Sequence, residues 1–121
     1  MAVVALEGMR FFSYHGLYPE EQASGNDFTV DIYMDTGQRP LSESDEISDT
    51  PDYARAYTVV EEVMQQRQNL LETLVVRIGK RLLKEIGGID GVRVRVSKEN
   101  PPVSGECKRS YVEAEFRTGE A

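Results

Sequence analysis

The chain has 121 residues, 40% of them hydrophobic and 29% charged, and a formal net charge of −7. That size and balance fit one globular domain over residues 1–121 rather than a disordered chain. The acidic excess also argues against nucleic acid as a partner, because phosphate binding needs a basic face.

Met1 to Arg10 carries Glu7 and has no long apolar run, so it does not read as a signal peptide. Nothing approaches the roughly 20 apolar residues that span a bilayer. Cys107 is the one cysteine, which leaves no intramolecular disulfide and points to a reducing compartment. A soluble, cytoplasmic protein without a membrane partner is expected.

Val3 to Phe12 reads as a strand, with a bulge at Gly8 that shifts the alternation from Val4 and Leu6 to Met9 and Phe11. Tyr14 to Asp27 reads as a loop holding Gly16, Pro19 and Gly25. In the next strand Phe28, Val30, Ile32 and Met34 face one way and Thr29, Asp31 and Tyr33 the other. The acidic stretch Ser42 to Asp49 reads as a solvated loop.

A helix is expected from Thr50-Pro51-Asp52, with Thr50 or Asp52 as cap and Pro51 in the first turn. Its apolar positions are Tyr57, Val60, Val63 and Met64. Asn69-Leu70-Leu71-Glu72 resembles a capping box that opens a second helix. Leu71, Leu74, Val75, Ile78, Leu82 and Ile86 form the stripe of that helix, and Gly87-Gly88 stop it. Two strands follow. Val92, Val94 and Val96 alternate with Arg93, Arg95 and Ser97, and Val112, Ala114 and Phe116 alternate with Tyr111, Glu113 and Glu115.

The order is ββααββ, an α+β arrangement with two helices over the apolar face of a four-stranded antiparallel sheet. Arg93 and Arg95 should meet Glu113 and Glu115 across the polar face. The two free sheet edges invite pairing with other chains. An oligomeric barrel with a wet lining and a monomeric sandwich with one wet face fit this pattern equally.

Lys98 has the parity of Val92, Val94 and Val96, so it should point to the helix-covered face just where the strand ends. There it is partly desolvated and usable as a base, and Pro101 and Pro102 stiffen the exit. The residues alone favour the plainer reading, a lysine that reaches from the strand end to water. Glu72 likewise reads first as a capping residue. A carboxylate beside free helix N–H groups, including that of Leu71, can also read a pterin- or guanine-like edge of mixed donors and acceptors. His15, the one histidine, reads as structural beside a Gly16 that needs a special backbone conformation. Glu20 and Glu21 read as surface acids, and Tyr53 and Tyr57 as helix residues packing on the core. No Cys/His cluster has metal-ligand spacing, no phosphate-cradling glycine motif is present, and a hydrolase triad has no support.

The segments resemble the dihydroneopterin aldolase family over nearly the whole chain. The likeness rests on Gly8-Met9-Arg10-Phe11, on Tyr14-His15-Gly16 with Glu21 and Gly25, and on Asp49-Thr50-Pro51-Asp52-Tyr53. It continues through Asn69-Leu70-Leu71-Glu72 and Lys98-Glu99-Asn100-Pro101-Pro102 with Gly105. The resemblance implies a tunnelling-type fold whose subunits join their sheets into a tetrameric barrel, commonly stacked into a homo-octamer, with pterin sites between neighbouring chains. It also implies retro-aldol cleavage of 7,8-dihydroneopterin in folate biosynthesis. The substrate's own C6=N5 imine serves as electron sink, so neither cofactor, metal nor lysine Schiff base is called for.

By position, Lys98 matches the family's general acid/base. Glu72 matches the carboxylate that holds the pterin's 2-amino and N3 edge, beside the Leu71 backbone. Tyr53 matches the catalytic tyrosine supplied by the neighbouring chain, and Glu21 the acid near the substrate's side-chain hydroxyls. Pro51 falls within the substrate-binding set at a place where valine is common, and its missing N–H removes any substrate bond through that group. Asn26 stands where a glutamine often follows the glycine. Two other functions remain open: an epimerase of dihydroneopterin or its triphosphate on the same scaffold, which the acidic balance mildly disfavours, and a non-catalytic pterin-binding ring, which would be expected to lack Lys98 or Tyr53.

Overall fold

A computed structural model describes residues 1–119. Strand β1 (Val3–Ser13) leads through a short helix α1 (Pro19–Ser24) into β2 (Asn26–Asp35). Helices α2 (Tyr53–Met64) and α3 (Leu71–Glu85) follow, then β3 (Gly91–Glu99) and β4 (Arg109–Arg117). The four strands form one antiparallel sheet in the order β1-β2-β3-β4. The expected order of four strands and two sheet-covering helices therefore holds, with α1 added between β1 and β2.

Alternation decides which face is buried. Phe28, Val30, Ile32 and Met34 of β2 and Val92, Val94 and Val96 of β3 lie under the helices and are almost wholly excluded from water. Val30 faces Val96 and Ile32 faces Val94 across the β2–β3 ladder. From above, α2 contributes Ala56, Val59, Val60, Val63 and Met64, and α3 contributes Leu74, Val75, Ile78 and Leu82. The α2 helix packs on β1, whereas α3 packs on β3 and β4. At Gly79 of α3 the ring of Phe116 lies where a Cβ would sit, at 2.3 Å, so glycine admits the close approach of helix and sheet.

The bulge falls where the alternation shifts. Leu6 pairs with Ile32 and Met9 with Val30, so β1 carries one residue more than β2 between these pairs. Gly8 takes φ +73°, and its N–H donates to Asp31 Oδ1 at 2.7 Å. On the polar face Arg95 Nε donates to Glu113 Oε1 at 2.8 Å, and Arg93 reaches the same oxygen at 3.3 Å. The two guanidiniums also lie over Tyr111 and Tyr33, 4.4 and 4.1 Å from the ring centroids.

Four local expectations need correction. Residues 19–24 of the expected loop are helical; α1 buries no residue, so it leaves no apolar period to read. Pro51 lies before the α2 cap rather than in its first turn. The cap is Asp52, whose carboxylate accepts from the N–H groups of Ala54 and Arg55 at 3.1 and 3.2 Å. The capping box at Asn69–Glu72 does not form. Leu70 is the N-cap of α3 without a side-chain bond, and Asn69 Oδ1 instead accepts from Arg67 Nη2 at 2.8 Å. Finally, Tyr53 and Tyr57 do not enter the core. Tyr53 is 57% exposed, and Tyr57 lies half out of the surface against Phe11.

Candidate active site

Lys98 occupies the last turn of the alternation in β3, opposite the fully buried Phe28. Its side chain is only 11% exposed and does not run out to water. The ammonium ends on Glu21 Oε2 at 2.5 Å, and the Glu21 side chain is equally secluded at 11%. This pair joins residues 77 positions apart. A charge-assisted bond in a setting so poor in water is among the stronger polar contacts a protein makes.

Glu21 is brought there by the turn between β1 and α1. Gly16 takes φ +151°, and a Cβ on it would come within 2.7 Å of Glu21 Cβ, Cδ and Oε1. The carboxylate thus folds back over a residue that must be glycine, and its Oε1 accepts from the Tyr18 N–H at 3.3 Å. Glu21 is no ordinary surface acid. At the other side of Lys98, Asn26 Nδ2 donates to the carbonyl of Glu99 at 2.5 Å and ties the start of β2 to the end of β3.

The same end of the molecule holds the start of α3. Gly16 N–H donates to the Gln68 carbonyl at 3.0 Å, and Arg67 Nη1 reaches back to the Gly16 carbonyl at 3.1 Å. Leu71 and Glu72 follow at the first two positions of α3, where backbone N–H groups have no partner within the helix. Glu72 is exposed and makes no cap bond, so its carboxylate stands beside those donors without a side-chain partner among the described residues.

His15 is buried beneath this end. Its ring meets Phe28 edge-on, with centroids 5.1 Å apart. Nε2 lies 2.9 Å from the Met64 carbonyl, and Nδ1 receives the Gln68 N–H at 3.1 Å. Burial holds its pKa below the ordinary imidazole value; the Met64 bond opposes this, and the charges of Arg67 and Lys98 reinforce it. The structural reading of His15 holds.

Lys98, Glu21, Leu71 and Glu72 therefore gather at one end of the chain. Tyr53 and Pro51 do not join them. Both lie at the far end of α2, whose 12 residues at about 1.5 Å each span about 18 Å. Pro51 is buried near the Gly88 turn, with its nitrogen 3.9 Å from where a Gly88 Cβ would stand. Sequence reasoning did not find the parts played by Arg67, Gln68 and the Asn26 side chain. The contacts that tie them to this end run to groups 51 to 73 residues away, and no local pattern marks them.

The family model for dihydroneopterin aldolase matches residues 4–115. The chain belongs to the dihydroneopterin aldolase family. A dihydroneopterin aldolase of Streptococcus pyogenes serotype M18 is 34% identical over 116 residues, covering 95% of this chain and 98% of the relative. One of Staphylococcus epidermidis is 35% identical over 104 residues, covering 85% and 86%. An E. coli dihydroneopterin aldolase solved in complex with neopterin has the same fold, with a TM-score of 0.85 at 24% identity over 96% of this chain and 99% of that one. The family fold of two helices on a four-stranded antiparallel sheet is the one seen here. Among the described residues, no helix is long and apolar enough to cross a membrane.

Proposed function

We propose that this chain is a cytoplasmic aldolase of folate biosynthesis that breaks the C1′–C2′ bond of 7,8-dihydroneopterin. The products are 6-hydroxymethyl-7,8-dihydropterin and glycolaldehyde, and the site is completed by a second copy of the chain. The secluded Lys98–Glu21 pair beside an uncapped helix start, in a chain of this family, carries the reading.

The reaction asks for a base at the 2′-hydroxyl, an electron sink and an acid. As the hydroxyl proton leaves, C2′ becomes the aldehyde carbon and the C1′–C2′ bond breaks. Its electron pair runs through C6=N5 to N5, which takes a proton. Return of a proton to C1′ and its loss from N5 then give the hydroxymethyl product. The sink is part of the substrate, so Lys98 transfers protons and forms no covalent intermediate. Glu21 holds the ammonium and faces the side-chain hydroxyls. Glu72 accepts from the pterin's 2-amino and N3 groups, while the Leu71 N–H donates to its carbonyl oxygen.

Tyr53 enters the site from the neighbouring chain. Its exposure and its distance of about 18 Å along α2 from the start of α3 support this. So does the apolar surface of Phe12, Tyr14, Leu17 and Tyr18, which lies exposed at the Lys98 end and calls for cover. The free edges of β1 and β4 support closure of the sheets into a tetrameric barrel, two of which stack as an octamer.

The test is incubation of the purified protein with 7,8-dihydroneopterin in EDTA, with products resolved by chromatography so that cleavage and epimerisation are read separately. Cleavage at full rate is expected, with Lys98→Ala slower by roughly 10²–10⁴, the scale of a lost acid/base group. No cleavage, loss of activity restored by zinc, or a fully active Lys98→Ala would refute the proposal.

A further inference from the structure

His15 is a buried titratable side chain that the proposed chemistry leaves unused. Two backbone groups settle its protonation. An amide N–H can only donate, so Nδ1, which receives the Gln68 N–H at 3.1 Å, carries no proton. The proton sits on Nε2 and is donated to the Met64 carbonyl at 2.9 Å. Met64 is the last residue of α2, and Gln68 lies in the link to α3.

Gln68 is held a second time, through its own carbonyl, by the Gly16 N–H at 3.0 Å. Consecutive residues of the β1–α1 turn thus grip both backbone groups of one residue in the α2–α3 link. On one side of this clasp Gly16 packs against Glu21, the partner of Lys98. On the other side, three and four residues on, stand Leu71 and Glu72. Below it the imidazole edge rests on Phe28, the register partner of Lys98.

We infer that His15, as its Nε2–H tautomer, is a positioning residue that sets the spacing between the Lys98–Glu21 pair and the pterin anchor at the start of α3. The inference rests on the functional reading above. Of its two bonds, the one to Gln68 transmits the position and the one to Met64 only seats the ring. A histidine that merely stabilised the fold would make no such distinction.

Two substitutions separate the bonds. His15→Asn places an amide oxygen near the Nδ1 position, keeping the acceptor for Gln68 and losing the donor to Met64. His15→Gln reaches the Nε2 position with an amide N–H, keeping the donor and leaving the Gln68 N–H unpaired. Turnover of 7,8-dihydroneopterin should fall about 10- to 10²-fold in His15→Gln, the range for a misplaced catalytic group. His15→Asn should stay within about fivefold of wild type. Neopterin affinity should stay within about threefold in both, because Leu71 and Glu72 move together on one helix turn. The Gln68 amide should remain protected from hydrogen exchange in His15→Asn and open in His15→Gln.

Arg67→Met loosens the same clasp from the exposed side, through the lost bonds to the Gly16 carbonyl and to Asn69 Oδ1 in the α2–α3 link. It should cost about threefold in turnover with Tm unchanged, and it alone decides the matter if His15→Gln does not fold. Equal turnover loss in the Asn and Gln variants, losses that follow Tm, or wild-type turnover in Arg67→Met would overturn the inference. A wild-type protein that does not cleave dihydroneopterin would sink the functional reading and this inference with it. A cleaving wild type whose variants fail to split sinks the inference alone.

Discussion

Gly16→Ala is a small change whose consequence can be worked through from the geometry. The new Cβ would lie 2.7 Å from Glu21 Cβ, Cδ and Oε1, with φ at +151°. Carbon atoms rest about 3.5–4.0 Å apart, so Glu21 must retreat by about 1 Å. Its contact with Lys98, now 2.5 Å, would lengthen to about 3.5 Å, past the hydrogen-bond range. The unfavourable backbone conformation costs about 1–3 kcal/mol, and the lost charge-assisted bond about 1.5–3 kcal/mol. Urea denaturation should therefore show a loss of about 2.5–6 kcal/mol from these two causes, with turnover falling alongside. Gly87→Ala is the control: nothing lies within 4 Å of its would-be Cβ, and stability should stay within about 0.5 kcal/mol of wild type. A Gly16→Ala protein as stable and active as wild type would refute the claim that Glu21 is held on Lys98 by this turn.

Glu72→Gln should weaken neopterin binding by about 1.5–3 kcal/mol, read by fluorescence titration. Folding stability should move by no more than about 1 kcal/mol, because the carboxylate caps nothing and only its favourable place at the helix start is lost. Unchanged affinity would remove Glu72 from the site. His15 makes stability depend on pH. Burial keeps its folded pKa below the ordinary 6.5, so the folded state binds fewer protons than the unfolded one at mildly acid pH. Its contribution is whole above about pH 6.5 and is lost as pH falls through the depressed folded value. The urea midpoint should drop between about pH 7.5 and 5.5 by more in wild type than in His15→Asn. Equal drops in the two proteins would show that His15 is not the group responsible.

Much of the fold could be read because its signals are local. Period-two alternation set the faces of β2, β3 and β4, and the break of parity at Gly8 located a bulge that the Leu6–Ile32 and Met9–Val30 pairs confirm. Helix α1 could not be read, since it buries nothing and shows no period. The capping box at Asn69 was misleading for a physical reason: Arg67, anchored on the distant Gly16 carbonyl, takes the Asn69 oxygen that would have capped the helix. At the site, strand parity placed Lys98 on the covered face, but nothing in the pattern pointed to Glu21 as its partner 77 residues away. Nor does any local spacing connect His15 with Gln68. Such contacts depend on tertiary docking of a turn against a link between helices.

The central claim is that Lys98 and Tyr53 act on one pterin from two chains, and mixing two inactive variants tests it most directly. Tyr53→Ala and Lys98→Ala proteins are dissociated, combined in equal amounts and reassembled. Each site then draws an intact Lys98 with probability one half and an intact Tyr53 with probability one half. About one quarter of the sites in a closed homo-oligomer regain both residues. Dihydroneopterin cleavage at about a quarter of the wild-type rate is expected from mixed assemblies. Mixed assemblies shown to have formed, yet as inactive as either parent, would place both residues in one chain and contradict the account.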